Sequence, residues 1–346
     1  MEKRAKLTIY EVADKAGVSR QTVSRVINNR PDVAYETRKR VLRIIEELDY
    51  RPNAVARSLS MKRTNNFGLV TAGLEFIGPS VTMSGIAKET EQLGYGLYLK
   101  DLPRFNTDNI QNIIDWFLAR QVDGIIWAVP EIGNNRDWID NFIDTIRLPI
   151  IFLTAEKRKN ISTVTIDNYY GAKLATSHLI ESGRKNIGHI SGPMDWWESK
   201  QRYNGWRDAL KENGINPKEN MVAEGNWSSK SGKKAFAQLL DSFPEMDALF
   251  VANDQMALSV LQTACELKIN IPDQLSVSGF DGIPESEFFS PSLTTITQNL
   301  VELGRVAVQQ LAQMVEINNS DKESRESIYI SLKPELIIRQ SSILNL

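Results

Sequence analysis

The chain has 346 residues, with 41 Lys plus Arg against 43 Asp plus Glu, a net charge of −2, two histidines and one cysteine. That length exceeds one hydrophobic core and suits a small domain beside a two-lobed body. No apolar run reaches the roughly eighteen residues of a membrane span and no charged-then-apolar leader is present, so the expectation is a cytoplasmic protein without a membrane partner.

The near-neutral total hides an asymmetry. Residues 1–63 carry 15 Lys plus Arg against 8 Asp plus Glu, a net of +7, and the other 283 residues carry 26 against 35, a net of −9. A basic head on an acidic body has the electrostatic footprint for phosphate contact in the head alone.

Residues 8–28, TIYEVADKAGVSRQTVSRVIN, predict two short helices on a tight turn. Thr8 and Glu11 have capping-box spacing, and Val12, Ala13 and Ala16 share one face. Gly17 stands where the first helix must stop and the chain reverse. Ser19 is the next cap. Val23, Val26 and Ile27 then point inward, leaving Arg20, Gln21, Ser24, Arg25 and Asn28 outward. A first turn of Arg, Gln and Thr suits base edges in a major groove. A third amphipathic helix follows, with Val41, Leu42, Ile44, Ile45 and Leu48 inward and Arg38, Lys39, Arg40 and Arg43 outside. Residues 51–65 predict a hinge, since Asn53 to Leu59 could form only two helical turns, too short to hold alone in water.

AGVSRQTVSRVIN and YRPNAVARSL, residues 16–28 and 50–59, resemble the DNA-binding head and hinge of the lactose-repressor (LacI/GalR) family. The resemblance implies base reading by Arg20, Gln21 and Arg25, within a DNA-facing set of Thr8, Tyr10, Ser19, Thr22, Ser24, Asn28, Asn53 and Ala56. It makes Leu59 the wedge into the operator minor groove. Ala34 departs from the family pattern, which has a serine capping the third helix there.

Beyond residue 66 short apolar runs alternate with longer amphipathic stretches. The strand candidates are 67–70, 95–99, 123–129, 149–154, 186–191, 246–252 and 275–280, and helical patterns separate nearly all of them. This predicts an α/β body of two doubly wound parallel sheets, each in its own lobe. No glycine fingerprint for a dinucleotide follows any strand.

The body resembles the same family's periplasmic-binding-protein-like effector domain. Asp123-Gly124, Asp167-Asn168 with Gly171, GHISGP at 188–193, Arg202 with Gly205-Trp206, ANDQMAL at 252–258, and SGFD at 278–281 with LTTITQ at 293–298 carry that resemblance. It implies three crossings between lobes, placing lobe one at about 66–166 plus 296–325 and lobe two at about 167–293 plus 326–346.

A ligand is then expected in the cleft at the carboxyl ends of the strands. The effector-binding candidates are Glu75, Trp196, Trp197, Arg202, Trp227, Asn253, Asp281 and Gln298. A carboxylate and a guanidinium can each grip neighbouring hydroxyls, and an indole face stacks on a pyranose or a purine. Two alternatives stay open: Asp281 and Arg202 could pair with each other, and Asn253 could serve as a helix cap. Only one of Trp196 and Trp197 is expected to face the cleft. In the family's lactose-repressor frame the positions of Ala72 and Ala128 carry polar sugar contacts, and alanine cannot make them.

Cys265 is expected to be a buried small hydrophobe, and His178 and His189 satisfied core histidines rather than metal ligands. No nucleophile elbow, P-loop or paired-carboxylate signature is present, so neither catalysis nor a cofactor is expected. The sequence is read as a homodimeric repressor of a carbohydrate-utilisation operon, binding a near-palindromic operator and released by a sugar or glycoside. The alternative is a corepressor-dependent repressor sensing a purine-like ligand. A sugar-binding receptor is disfavoured by the basic head. No C-terminal heptad extends beyond Ile338, which favours a dimer.

Overall fold

The computed structural model describes residues 7–27, 30–50, 63–105, 109–317 and 327–343. Two compact units divide at residue 65, a head and a body.

The head holds α1 (Ile9–Ala16), α2 (Arg20–Ile27) and α3 (Tyr35–Glu47). The capping box is formed: the Thr8 amide and hydroxyl donate to the Glu11 carboxylate at 2.6 and 3.0 Å. Gly17 ends α1 in the left-handed region at φ 62°. The Thr22 amide donates to Ser19 Oγ at 3.1 Å, so Ser19 caps α2. Val12, Ala13, Ala16, Val23, Val26, Val41, Ile44 and Tyr50 close one small core. Leu42 is 49% exposed, contrary to the inward expectation, because the stripe of α3 runs through Val41 and Ile44 and leaves its neighbour outside. Ala34 precedes α3 without a side-chain cap.

The body carries two six-stranded sheets, and its first helices are α4 (Ile77–Gln92), α5 (Ile110–Leu118) and α6 (Trp138–Phe142). The first is built from β1 (Asn66–Ala72), β2 (Gly96–Leu102), β3 (Gly124–Ala128), β4 (Ile150–Leu153), β5 (Ser162–Ile166) and β11 (Tyr329–Leu332), in the order β11-β5-β4-β3-β1-β2, every pair parallel. The second is built from β6 (Ile187–Ser191), β7 (Val222–Glu224), β8 (Ala248–Val251), β9 (Ser276–Asp281), β10 (Thr294–Thr297) and β12 (Glu335–Ile337), in the order β12-β10-β9-β8-β6-β7, with only β12 antiparallel. The strand order reverses at β1 and again at β6, and the strand ends flanking these switch points open into one cleft.

The crossings differ from the expected boundaries. β10 pairs with β9 as far as Thr297 opposite Asp281, so lobe two runs on through residue 297. Tyr329–Leu332 pairs with Thr163–Ile166, which leaves Ile330 and Leu332 packed on the first core and moves the last crossing past Leu332. Trp127 and Trp206 are fully buried, one in each lobe. Cys265 is exposed instead of buried, since the inward face of its helix (Asp254–Glu266) is carried by Val260, Leu261 and Ala264. Among the described residues no helix is long and apolar enough to cross a membrane, and no cluster of His, Cys, Asp or Glu could hold a metal.

Candidate functional site

Two sites come from the two units. In the head, α2 turns its polar face outward, with Arg20, Gln21 and Arg25 all exposed. Arg20 Nη1 donates to Tyr10 Oη at 2.5 Å, and its guanidinium lies 4.3 Å from the Tyr10 ring centroid, so α1 braces the first long donor of α2. Arg25 stands 3.4 Å from Asp32 across the loop after α2, an exposed ion pair of little intrinsic worth that a nucleic-acid partner can displace. Thr22 and Ser24 flank these residues on the same helix. Asn28, Asn53, Ala56 and Leu59 lie outside the described residues.

In the body, a cavity of about 110 Å³ lies between the lobes. Lobe two gives it a polar floor: Asn168 at the start of α7 (Asn168–Glu181), Glu198 and Arg202 on α8 (Trp197–Glu212), then Asn253, Gln255, Asp281 and Gln298. Lobe one gives it an apolar wall through Leu69, Ile77, Pro79, Met83, Ala128 and Leu153. Arg202 is the centre of the floor and lies in the second turn of α8. Only 5% exposed, it donates through Nε to Asn168 Oδ1 at 2.8 Å and through Nη1 to the Ala252 carbonyl and to Asp281 Oδ1, the last at 3.4 Å. Its guanidinium also sits 3.8 Å from the Phe280 ring centroid. Gln298 Nε2 donates to the same Asp281 oxygen at 2.7 Å. Arg202 and Asp281 therefore pair with each other and still line the cleft.

Burial pushes the Asp281 carboxyl up to about 6, with Arg202 and Gln298 holding it lower than burial alone would. Asp281 also has φ 114°, a left-handed conformation that costs roughly 1–3 kcal/mol and is held in place by its surroundings. Asp254 supplies part of that hold: its carboxyl accepts from Thr295 Oγ1 at 2.6 Å and from the Ile283 amide at 2.9 Å, on either side of the turn after Asp281.

Trp196 and Trp227 cap the cavity edge-to-face, with ring centroids 5.7 Å apart, and Phe76 and Phe105 extend this aromatic cluster from lobe one. Of the adjacent tryptophans only Trp196 lines the cavity. Trp197 opens α8 and donates its amide to the Glu131 carbonyl at 3.0 Å, tying the lobes together beside the cleft. Glu75 is exposed and does not line the cavity: the turn closed by the Phe76 amide on the Gly73 carbonyl sends Phe76 inward in its place. Asn253 is a helix cap, as its alternative reading had it. Oδ1 accepts from the Met256 amide at 3.0 Å and Nδ2 donates to the Trp227 carbonyl at 2.9 Å, so both ends are taken, and its contribution is to hold Trp227. His189, fully buried, donates through Nδ1 to the Phe250 carbonyl, and His178, half-buried, shares a hydrogen bond between its Nε2 and Ser342 Oγ.

Glu198 is the cleft residue that sequence reasoning passed over. It stands four residues before Arg202, one helical turn away on the same face, and that spacing was the signal available. Burial pushes its carboxyl up to about 7.

The descriptions of two protein families match the chain: bacterial regulatory proteins of the lacI family over residues 8–53, and the periplasmic binding protein-like domain over 176–342. Catabolite control protein A of Priestia megaterium is 33% identical over 97% of this chain and 99% of its own length. The HTH-type transcriptional repressor PurR of Pasteurella multocida is 33% identical over 96% of this chain and 98% of its own. Among solved structures, the lac repressor dimer bound to operator and the anti-inducer ONPF is similar with a TM-score of 0.83 and 29% identity, covering 98% of this chain and 100% of that one. A complex of the transcriptional regulator CelR with cellobiose is similar with a TM-score of 0.70 and 28% identity, covering 97% and 99%.

Proposed function

The chain belongs to the LacI family of bacterial regulatory proteins, and we infer that a sugar or glycoside in its cleft releases its head from operator DNA. It is a DNA-binding transcriptional repressor with a small-molecule effector domain. On this reading Arg20, Gln21 and Arg25 read base edges, with Thr8, Tyr10, Ser19, Thr22 and Ser24 placed for backbone contact. Asn28, Asn53, Ala56 and Leu59 complete the interface. Two heads of a homodimer meet a near-palindromic operator, and the protein acts in the cytoplasm where that DNA is.

The observation that carries the saccharide reading is the Arg202–Asp281–Gln298 floor beneath the indoles of Trp196 and Trp227. Such a floor offers a carboxylate and a guanidinium to neighbouring hydroxyls, and the indoles offer a face to a pyranose ring. The solved complex of the similar CelR holds cellobiose. The second reading, a purine-like corepressor, is favoured by the apolar wall of Leu69, Pro79 and Met83, which also suits a flat heteroaromatic ring. By linkage, a ligand that prefers the lobe arrangement incompatible with operator binding weakens DNA affinity by the factor that DNA weakens its own.

Calorimetry on the full chain with D-glucose, cellobiose, methyl β-D-galactoside, hypoxanthine and guanine tests the choice. Binding of at least one saccharide is expected. Binding of a purine alone would transfer the function to the second reading.

A further inference from the structure

We propose that Glu198 accepts a hydrogen bond from the effector and makes the cleft select a neutral, hydroxyl-bearing ligand over its phosphorylated form. The inference rests on the saccharide reading and adds a contact and a selection rule to it.

Three observations carry it. First, Glu198 lines the cavity, and although the residue as a whole is half-buried, its Oε2 is sealed from solvent without any hydrogen-bond partner. A buried carboxylate oxygen left unpaired is costly, so its place in the wall of a binding cleft points to a donor that arrives with the ligand. Second, a buried donor of the opposite kind lines the same cavity: Trp227 Nε1 also has no partner. An orphaned acceptor and an orphaned donor on one cavity suit hydroxyl groups, each of which donates once and accepts twice.

The third observation is charge. The charged residues lining the cavity are Glu198, Arg202 and Asp281, two acids to one base. Arg202 is already engaged by Asn168, the Ala252 carbonyl and Asp281. A phosphate or carboxylate on the ligand would therefore face two acidic groups and a single cation whose Nε and Nη1 already donate to the floor. From lobe one, Arg136 and Glu131 act on Glu198 with opposite sign. Arg136 lies in the core, donating through Nη2 to the Val129 carbonyl, and is absent from the cavity lining.

The competing account is that Glu198 is only half of an interlobe pair with Arg136, whose Nε and Nη1 also lack hydrogen-bond partners. The two accounts separate in one experiment. Full-length wild type, Glu198→Gln and Glu198→Ala are titrated by calorimetry with D-glucose, cellobiose, glucose 6-phosphate and hypoxanthine, and each variant is also melted without ligand. The proposal expects the tightest-binding neutral saccharide to lose about tenfold or more in affinity with Glu198→Ala, with Glu198→Gln between that variant and wild type. It further expects glucose 6-phosphate to bind wild type more weakly than glucose and to regain ground in Glu198→Gln. Unchanged saccharide affinity in both variants, or a wild type that prefers the phosphate, overturns it. So does a fall in melting temperature without a fall in affinity, which assigns Glu198 to the Arg136 pair. If hypoxanthine binds and no saccharide does, the saccharide reading fails by itself. A drop in hypoxanthine affinity with Glu198→Ala would then keep the Glu198 contact, and an unchanged value would discard it. Binding of none of the four overturns both.

Discussion

Trp227 lies over Gly192 so closely that a Cβ on that glycine would stand 2.1 Å from the indole Cη2. The bare backbone after β6 is what lets the ring settle against the lobe, and Trp227 itself is held at φ 72° by the Asn253 bond to its carbonyl. Gly192→Ala must push the indole toward or out of the cleft. We expect the variant to fold and bind operator, with effector affinity reduced about tenfold. Calorimetry and the Trp fluorescence spectrum check this; an unmoved spectrum with normal affinity would remove Trp227 from the site.

On the proposed function Asp281 meets the ligand, and it also holds the floor, because its carboxylate compensates the buried Arg202 guanidinium. Asp281→Ala leaves that charge without its acidic partner, and losing one member of a buried pair costs on the order of 3–5 kcal/mol. Asp281→Asn keeps an acceptor for Gln298 and is the better probe. We expect Asp281→Asn to melt within a few degrees of wild type and to hold operator DNA while failing to respond to the saccharide, since the differential affinity for the two states is gone. Normal induction in that variant would place the ligand elsewhere.

Acidity and stability should be linked with a defined sign. Glu198, Asp254 and Asp281 are raised by burial to about 7, 8 and 6, so the folded state keeps protons that the unfolded chain has released. Their contribution is fully present below the unfolded carboxyl range and is lost as pH rises through those values. His189, lowered by burial to about 4, and His178, lowered in the same direction, act oppositely: their contribution is lost as pH falls below about 6.5. Above that point the histidines are silent, and the ligand-free melting temperature should decline toward about pH 8. Glu198→Gln should flatten the decline near neutrality. A melting temperature that climbs over the same interval contradicts the burial of these carboxyls.

For the head, Arg25→Ala should cost about 1–3 kcal/mol of operator affinity and relax sequence preference, after the loss of only a weak exposed pair with Asp32. Lys39→Ala, on the exposed face of α3, should weaken specific and random DNA alike. Competition assays with operator and scrambled duplexes give the ratio; an unchanged ratio for Arg25→Ala would take base reading away from it.

The head was legible because local rules decide it: the Thr8–Glu11 box, Gly17 and the Ser19 cap are short-range devices that sequence spacing reports directly. The sheets were legible where strands are continuous apolar runs, as in β3 and β4. β5, STVTI, reads as polar yet is buried along its whole length, and β10 to β12 are short strands whose pairing depends on partners distant in the chain. The site divides the same way. Asp281, Arg202 and Gln298 end up together because the strand ends converge, whereas Trp196 and Trp197 differ only in which of them precedes the first turn of α8. Glu75 was misplaced by a turn that inverts the chain just before the cavity, and Leu42 and Cys265 by helical faces whose edges sequence alone blurs.

On the proposed function, ligand in the Arg202–Asp281 cleft weakens operator binding. Fluorescence anisotropy of a labelled operator duplex with the full chain, titrated with the saccharide that calorimetry shows to bind, measures it directly. Release is expected for wild type, and no release for Asp281→Asn. Tighter operator binding on adding that saccharide, or equal release from both proteins, would contradict it.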